Sequence, residues 1–123
     1  MSRARRALGN EGEARAAAHL ERCGFRILER NARAGGVEID VIAERAGLLV
    51  FVEVKTRRSR THGPPEAAVD CRKQARLARG AAAWLRDAPR RYRRVRFDVI
   101  CCEPERDGSW KLTHWESAFD ASD

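Results

Sequence analysis

No stretch of the chain approaches the roughly 18 to 20 consecutive apolar residues that a membrane-spanning helix requires, so no membrane partner is expected. The basic opening Met1-Ser2-Arg3-Ala4-Arg5-Arg6 is followed by no apolar core of the signal-peptide kind. A cytoplasmic location is the expectation. Cysteine occurs only at positions 23, 71, 101 and 102, with neither a CxxC pair nor a Cys/His spacing suited to zinc, and adjacent cysteines such as Cys101 and Cys102 do not suit a disulfide framework. All four read as small buried residues of a reducing compartment. His19, His62 and His114 are scattered, and none reads as a metal ligand. Lysine is nearly missing, found at 55, 73 and 111 alone. Internal repeats and low-complexity linkers are absent.

What is present is a chain of 123 residues, enough for one hydrophobic core and too short for two. A single domain, 1–123, is expected, with residues 1–8 as a flexible basic arm. Lys and Arg number 25 against 18 Asp and Glu, a net charge of +7. Such an excess suits a polyanionic partner such as nucleic acid, and it equally suits a chain whose arginines serve only solubility.

Asn10 to Cys23 is rich in Ala, Glu, Arg and Leu and stops at Gly24, the pattern of a helix with a glycine terminator. Phe25 to Arg33 alternates weakly and ends in Ala34-Gly35-Gly36, a strand followed by a turn. Val37–Glu44 and Leu48–Thr56 are β-branched runs joined by Arg45-Ala46-Gly47, which predicts a hairpin. Arg57 to Pro65 is a polar loop. From Glu66 to about Asp87, Val69, Leu77, Ala81, Trp84 and Leu85 recur at helical spacing until Pro89 intervenes. Val95–Cys102 reads as a buried strand and Trp110–Trp115 as an edge strand. The order α-β-β-β-α-β-β predicts an α/β fold with a mixed sheet flanked by helices.

Strand alternation gives these elements chemical content. Glu38, Asp40 and Ile42 fall on one face, Val37, Ile39 and Val41 on the other; Leu49, Phe51, Glu53 and Lys55 share a face of the next strand. If the connection is tight, facing residue numbers sum to about 93, which sets Asp40 opposite Glu53. Opposed carboxylates repel and are favourable only around a cation. Mg²⁺ takes one or two protein carboxylates and fills its other positions with water and phosphate oxygens, so Asp40 and Glu53 are the candidate metal ligands. Lys55 is placed to orient or deprotonate an attacking water and to stabilise charge on phosphorus. Taken singly, each of these residues fits the wet face of a half-exposed sheet; Ile42, Leu49 and Phe51 beside them argue for burial.

Asp40 followed across a hairpin by Glu53-Val54-Lys55 resembles the motif of the PD-(D/E)XK nuclease superfamily, which includes restriction endonucleases and archaeal Holliday junction resolvases. The leading proline of that motif is replaced by Ile39. Gly12-Glu13, Asn31-Ala32-Arg33, Glu38-Ile39-Asp40, Phe51 to Arg57, Pro65 to Val69, Lys73 with Arg76-Leu77, and Arg96 to Ile100 are similar to the bacterial YraN-like family of uncharacterised predicted endonucleases. The resemblance implies a restriction-endonuclease-like core, Mg²⁺ or Mn²⁺ as cofactor with no organic one, and hydrolysis of nucleic-acid phosphodiester bonds. DNA, including branched DNA in repair or recombination, is the expectation, while the absence of a groove-reading motif leaves DNA against RNA and branched against linear open. Resolvases act as dimers on two-fold junctions, which admits a homodimer here.

Glu13 fits the superfamily's further acid on the first helix, and its alignment with Ala16, Ala17 and Leu20 turns it inward; a solvent-facing glutamate near a helix start is the plain alternative. Lys73 and Arg76, three apart on the second helix, could reach a phosphate. Arg57, Arg58 and Arg60 form a basic loop after the candidate strand, suited to a nucleic-acid backbone. Asp98 reads as a paired structural acid, and Trp84, Trp110 and Trp115 as packing residues. The competing function is a non-catalytic nucleic-acid-binding module that acts with a partner protein.

Overall fold

The computed structural model describes residues 3–58 and 70–119. The elements run α1 (Arg3–Arg22), β1 (Arg26–Ala34), β2 (Val37–Arg45), β3 (Leu48–Thr56), α2 (Cys71–Arg86), β4 (Arg94–Pro104) and β5 (Trp110–Phe119). The five strands form one mixed sheet in the order β1-β2-β3-β4-β5, antiparallel except between β3 and β4. That α/β order is the one the sequence predicts.

The β1–β2 and β2–β3 hairpins each close in two residues, since Ala34 faces Val37 and Arg45 faces Leu48. Gly35 and Gly36 at φ 59° and 76°, and Ala46 and Gly47 at 51° and 83°, have the positive φ pair of a type I′ turn, whose twist matches that of the strands it joins. The register follows from that turn: Val41 faces Val52 and Ile42 faces Phe51.

One helix covers each face. Ala16 and Leu20 of α1 pack on Val41, Ala43, Val50, Val52, Ile100 and Cys102, while Leu77 and Ala81 of α2 pack on Ile39, Ile42, Leu49, Phe51 and Val99. In β3 the alternation is strict: Leu48, Val50, Val52 and Val54 meet the α1 layer, Leu49 and Phe51 the α2 layer. Burial of these aliphatic side chains, worth roughly 1.5 to 3 kcal/mol each, fixes the strand faces against slippage.

Four expectations need correction. Helix α1 begins at Arg3, so the described part of the supposed basic arm is helical: Ala, Arg and Leu favour helix without needing a buried face. Helix α2 begins at Cys71, because Asp70 is extended and its carboxylate accepts from the Lys73 N–H at 2.9 Å, a cap that ends the helix on that side; Glu66 to Val69 lie outside the described residues. Cys101 and Cys102 are buried as expected, whereas Cys23 and Cys71 are exposed, one in a helix-ending turn and the other on an outer helix face. The alternation of β2 breaks: Val37 and Ile39 pack with Ile42 in the α2 layer, and Val41 packs in the α1 layer.

Candidate metal and nucleic-acid site

The break in β2 is centred on Asp40. The β1–β2 ladder runs through Ala32 facing Ile39 and Arg30 facing Val41; between them Asn31 holds φ 54°, a left-handed conformation that asparagine tolerates better than most residues. Counted from Ile39, Asp40 belongs to the α1 face; counted from Val41, it belongs to the α2 face. Its carboxylate lies edge-on between them and accepts the Val54 N–H of β3 at 2.8 Å, in the place a ladder carbonyl would take. The β2–β3 pairing is thus carried past Val41 by a side chain.

This position exposes Asp40 to acids from both layers. Burial and then Glu53, with smaller contributions from Glu13 and Glu38, push its pKa up from 3.8 to about 7, against the opposing Val54 hydrogen bond. Glu13, half-buried, is raised chiefly by burial and also by Glu38 and Glu53. In the amide orientation that satisfies both ends of the side chain, Asn31 Nδ2 donates to Glu13 Oε1 at 3.0 Å and to Glu38 Oε2 at 3.1 Å. Asn31 and Glu38, which the sequence places in family-like segments without a site role, thus join the candidate site. The available signal was an asparagine inside a strand, where its propensity is poor.

Helix α1 reaches this corner because Gly12 has no side chain. A Cβ there would lie 2.0 Å from Thr56 Oγ1, and the Gly12 carbonyl accepts from Cys102 Sγ at 3.4 Å. The next residue, Glu13, is delivered to the open end of the hairpin by that contact. From the opposite layer, Lys73 Nζ meets Glu53 Oε2 at 2.6 Å, with the Glu53 side chain only 10% exposed. Glu53 is thus already neutralised by a resident cation.

Lys55 is half-buried, two residues beyond Glu53 on the same face of β3, and faces Cys101 of β4. Arg58 and Arg76 are exposed. Arg57 is not presented to solvent as the basic-loop reading expects: its side chain is 12% exposed and its Nε lies 3.4 Å from Glu103 Oε2, because β4 runs alongside and the Arg57 N–H bonds the Cys102 carbonyl. Arg60 and His62 lie outside the described residues. The structure therefore brings Glu13, Asp40, Glu53 and Lys73 together and sets Arg57 apart as a buried ion pair.

Asp98 is a paired acid. Arg96 donates to both its oxygens at 2.9 Å, and His114 Nε2 and the Ser117 N–H donate at 2.7 and 3.1 Å. Burial alone would raise its pKa, but the bonds from His114, Arg96 and Ser117 outweigh it and hold the group below its ordinary value.

Among the described residues no group of three or more His, Cys, Asp or Glu side chains is placed to hold a metal ion. A hard divalent ion with one or two carboxylates and its own water needs less. The fit is chemical: two oxygen donors on adjacent strands, further acids in the second layer, and electrostatic crowding that a cation would relieve.

A family description, "Uncharacterised protein family UPF0102", matches residues 12–102. Similar proteins include the UPF0102 protein of Nitratidesulfovibrio vulgaris strain DP4, 44% identical over the whole chain and 91% of its own length. That of Symbiobacterium thermophilum is 46% identical over 94% of this chain and 98% of its own. The solved structure of Pyrococcus furiosus SfsA in complex with Ca²⁺ is 18% identical, with a TM-score of 0.40; the match covers 90% of this chain and 61% of that one. Among the described residues no helix is long and apolar enough to cross a membrane.

Proposed function

We propose that this chain, which belongs to the uncharacterised protein family UPF0102, is a metal-dependent endonuclease that hydrolyses phosphodiester bonds of DNA, with branched DNA the foremost candidate substrate. The observation that carries the reading is the convergence of Asp40 and Glu53 at the open end of the β2–β3 hairpin, with Glu13 behind them and Lys55 beyond. Asp40 and Glu53 would hold Mg²⁺ or Mn²⁺. Bound there, the ion supplies Lewis-acid polarisation of the phosphate and of the attacking water.

The chain's own groups do the rest. Asp40, at about 7, is poised between acid and carboxylate at neutral pH, and an approaching cation drives it to the carboxylate. Lys55 orients the water and stabilises the charge that grows on phosphorus. Asn31 fixes the Glu13 carboxylate, and Glu13 in turn orients water or supports the ion. Arg58, two residues past the end of β3, and Arg76 on α2 are exposed and suit contact with the phosphate backbone.

The Lys73–Glu53 contact favours a second reading, a nucleic-acid-binding module of the same fold, because an internal cation already satisfies Glu53 without metal. A cleavage assay separates them. Linear, flapped and four-way-junction DNA are incubated with Mg²⁺ or Mn²⁺ and with the parent, Asp40→Asn and Lys55→Ala. Metal-dependent cutting by the parent, lost in both variants, is expected. Salt-sensitive binding without turnover on any substrate would select the binding module, and cutting by Asp40→Asn equal to the parent's would remove the assignment.

A further inference from the structure

We propose a second metal site, formed by His19 and Cys23 of α1 with His114 of β5, that takes Zn²⁺ or a similar transition ion and fastens the end of α1 to the sheet edge. It is independent of the nuclease reading. The observation is a convergence that the sequence scatters over 95 positions: His19 Nε2 lies 3.1 Å from His114 Nδ1 and 3.8 Å from Cys23 Sγ. For a tetrahedral ion with Zn–N near 2.05 Å and Zn–S near 2.3 Å, ligand atoms stand roughly 3.3 Å apart for N and N, and roughly 3.6 Å for N and S. Both observed edges fall close to these lengths.

The layer behind the donors has the form used to support zinc histidines. Asp98 Oδ2 accepts from His114 Nε2 at 2.7 Å, which puts the His114 proton on Nε2 and leaves the Nδ1 lone pair facing His19. A carboxylate on the far nitrogen of a ligating histidine fixes its tautomer and raises its basicity. Asp98 is itself locked, with Arg96 on both oxygens, so it acts as a positioning residue. His19 and Cys23 are one helical turn apart and share a face. As they stand, His19, Cys23 and His114 do not form a three-donor group able to hold a metal ion; the Cys23 side chain is exposed, and the proposal requires it to turn towards His114. Water completes the four-coordinate shell.

Ligand softness separates this site from the carboxylate corner. Thiolate and imidazole select Zn²⁺ or Co²⁺, whereas Asp40 and Glu53 select Mg²⁺ or Mn²⁺. The full-length chain, stripped with chelator and kept reduced, is titrated with Co²⁺ and followed by absorption, then with Zn²⁺ as competitor. One tetrahedral Co²⁺ per chain is expected, with the strong visible bands of that geometry and a thiolate-to-cobalt charge-transfer band, both removed by Zn²⁺; an oxygen-ligated Co²⁺ at the carboxylate corner adds neither. Cys23→Ser should lose the charge-transfer band, and His19→Gln should weaken binding by at least about tenfold. Cys71→Ser, which removes the other exposed thiol, and Asp40→Asn should leave the spectrum unchanged. The proposal is overturned if no tetrahedral spectrum develops, if the charge-transfer band survives in Cys23→Ser, or if it vanishes in Cys71→Ser. Should His19→Gln fail to fold, the exposed Cys23→Ser variant still decides.

Discussion

Removing one carboxylate from the crowded corner should make the protein more stable, and Asp40→Asn is the cleanest form of that perturbation. The interval from 3.8 to about 7 for Asp40, at about 1.4 kcal/mol per pH unit, corresponds to about 4 kcal/mol of preference for the neutral acid in the fold. Partial solvent access and coupling to Glu53 reduce this, and about 1–2 kcal/mol is the expected gain. The sign follows from linkage. A folded-state pKa above the unfolded one means that the parent is relieved of the penalty below about pH 4 and bears it in full above about pH 7. Asparagine keeps the essential contact, because its amide oxygen can accept the Val54 N–H that Asp40 accepts at 2.8 Å. Thermal and urea unfolding in chelator should therefore show Asp40→Asn more stable than the parent at pH 8, with Tm higher by roughly 4–8 °C. At pH 4.5 the advantage should shrink to about a quarter. Adding Mg²⁺ should raise the parent's Tm and leave the variant's nearly unmoved. A variant less stable than the parent at pH 8, or an advantage that does not change with pH, would refute the account of Asp40 as a strained acid.

Gly12→Ala places a methyl 2.0 Å from Thr56 Oγ1 and should cost about 1–3 kcal/mol in urea unfolding, with metal-dependent cleavage falling because Glu13 is carried away from the hairpin. Lys73→Met leaves Glu53 without its cation; a loss of about 1–2 kcal/mol is expected in chelator, partly restored by Mg²⁺, and equal melting of parent and variant in chelator would show that the pair contributes nothing. Asp98→Asn removes the bidentate acceptor of Arg96 and the partner of His114, for a loss of about 2–4 kcal/mol at pH 7. Asp98 titrates below its ordinary value in the fold, so its contribution is present above about pH 4 and fades as the pH falls through the lower folded-state pKa; the gap between parent and variant in acid unfolding should narrow accordingly.

Much of the sheet was legible because local chemistry fixes it. A short loop containing Gly47 between two β-branched runs sets a hairpin, its length sets the register, and the register brings Asp40 near Glu53. The unbroken alternation of β3 needs nothing beyond period-two burial. Reading failed where that regularity is interrupted. Period two puts Ile39 and Val41 on one face, whereas the structure divides them across Asp40, beside the left-handed Asn31 of the neighbouring strand. Charge patterns misled in a similar way: Arg57 looks like part of a solvent-facing basic loop until β4 runs beside it and Glu103 claims it.

The sequence by itself determined the element types, the hairpin register and the acid–acid–lysine set, since turns, strand period and motif spacing act over a few residues. Only the tertiary structure decided which groups from distant positions meet: Gly12 against Thr56 to bring in Glu13, Lys73 onto Glu53, and His19 beside His114. Those meetings depend on how two helices are laid across opposite faces of the sheet, a choice made by the packing of the whole core, which no local stretch of chain encodes.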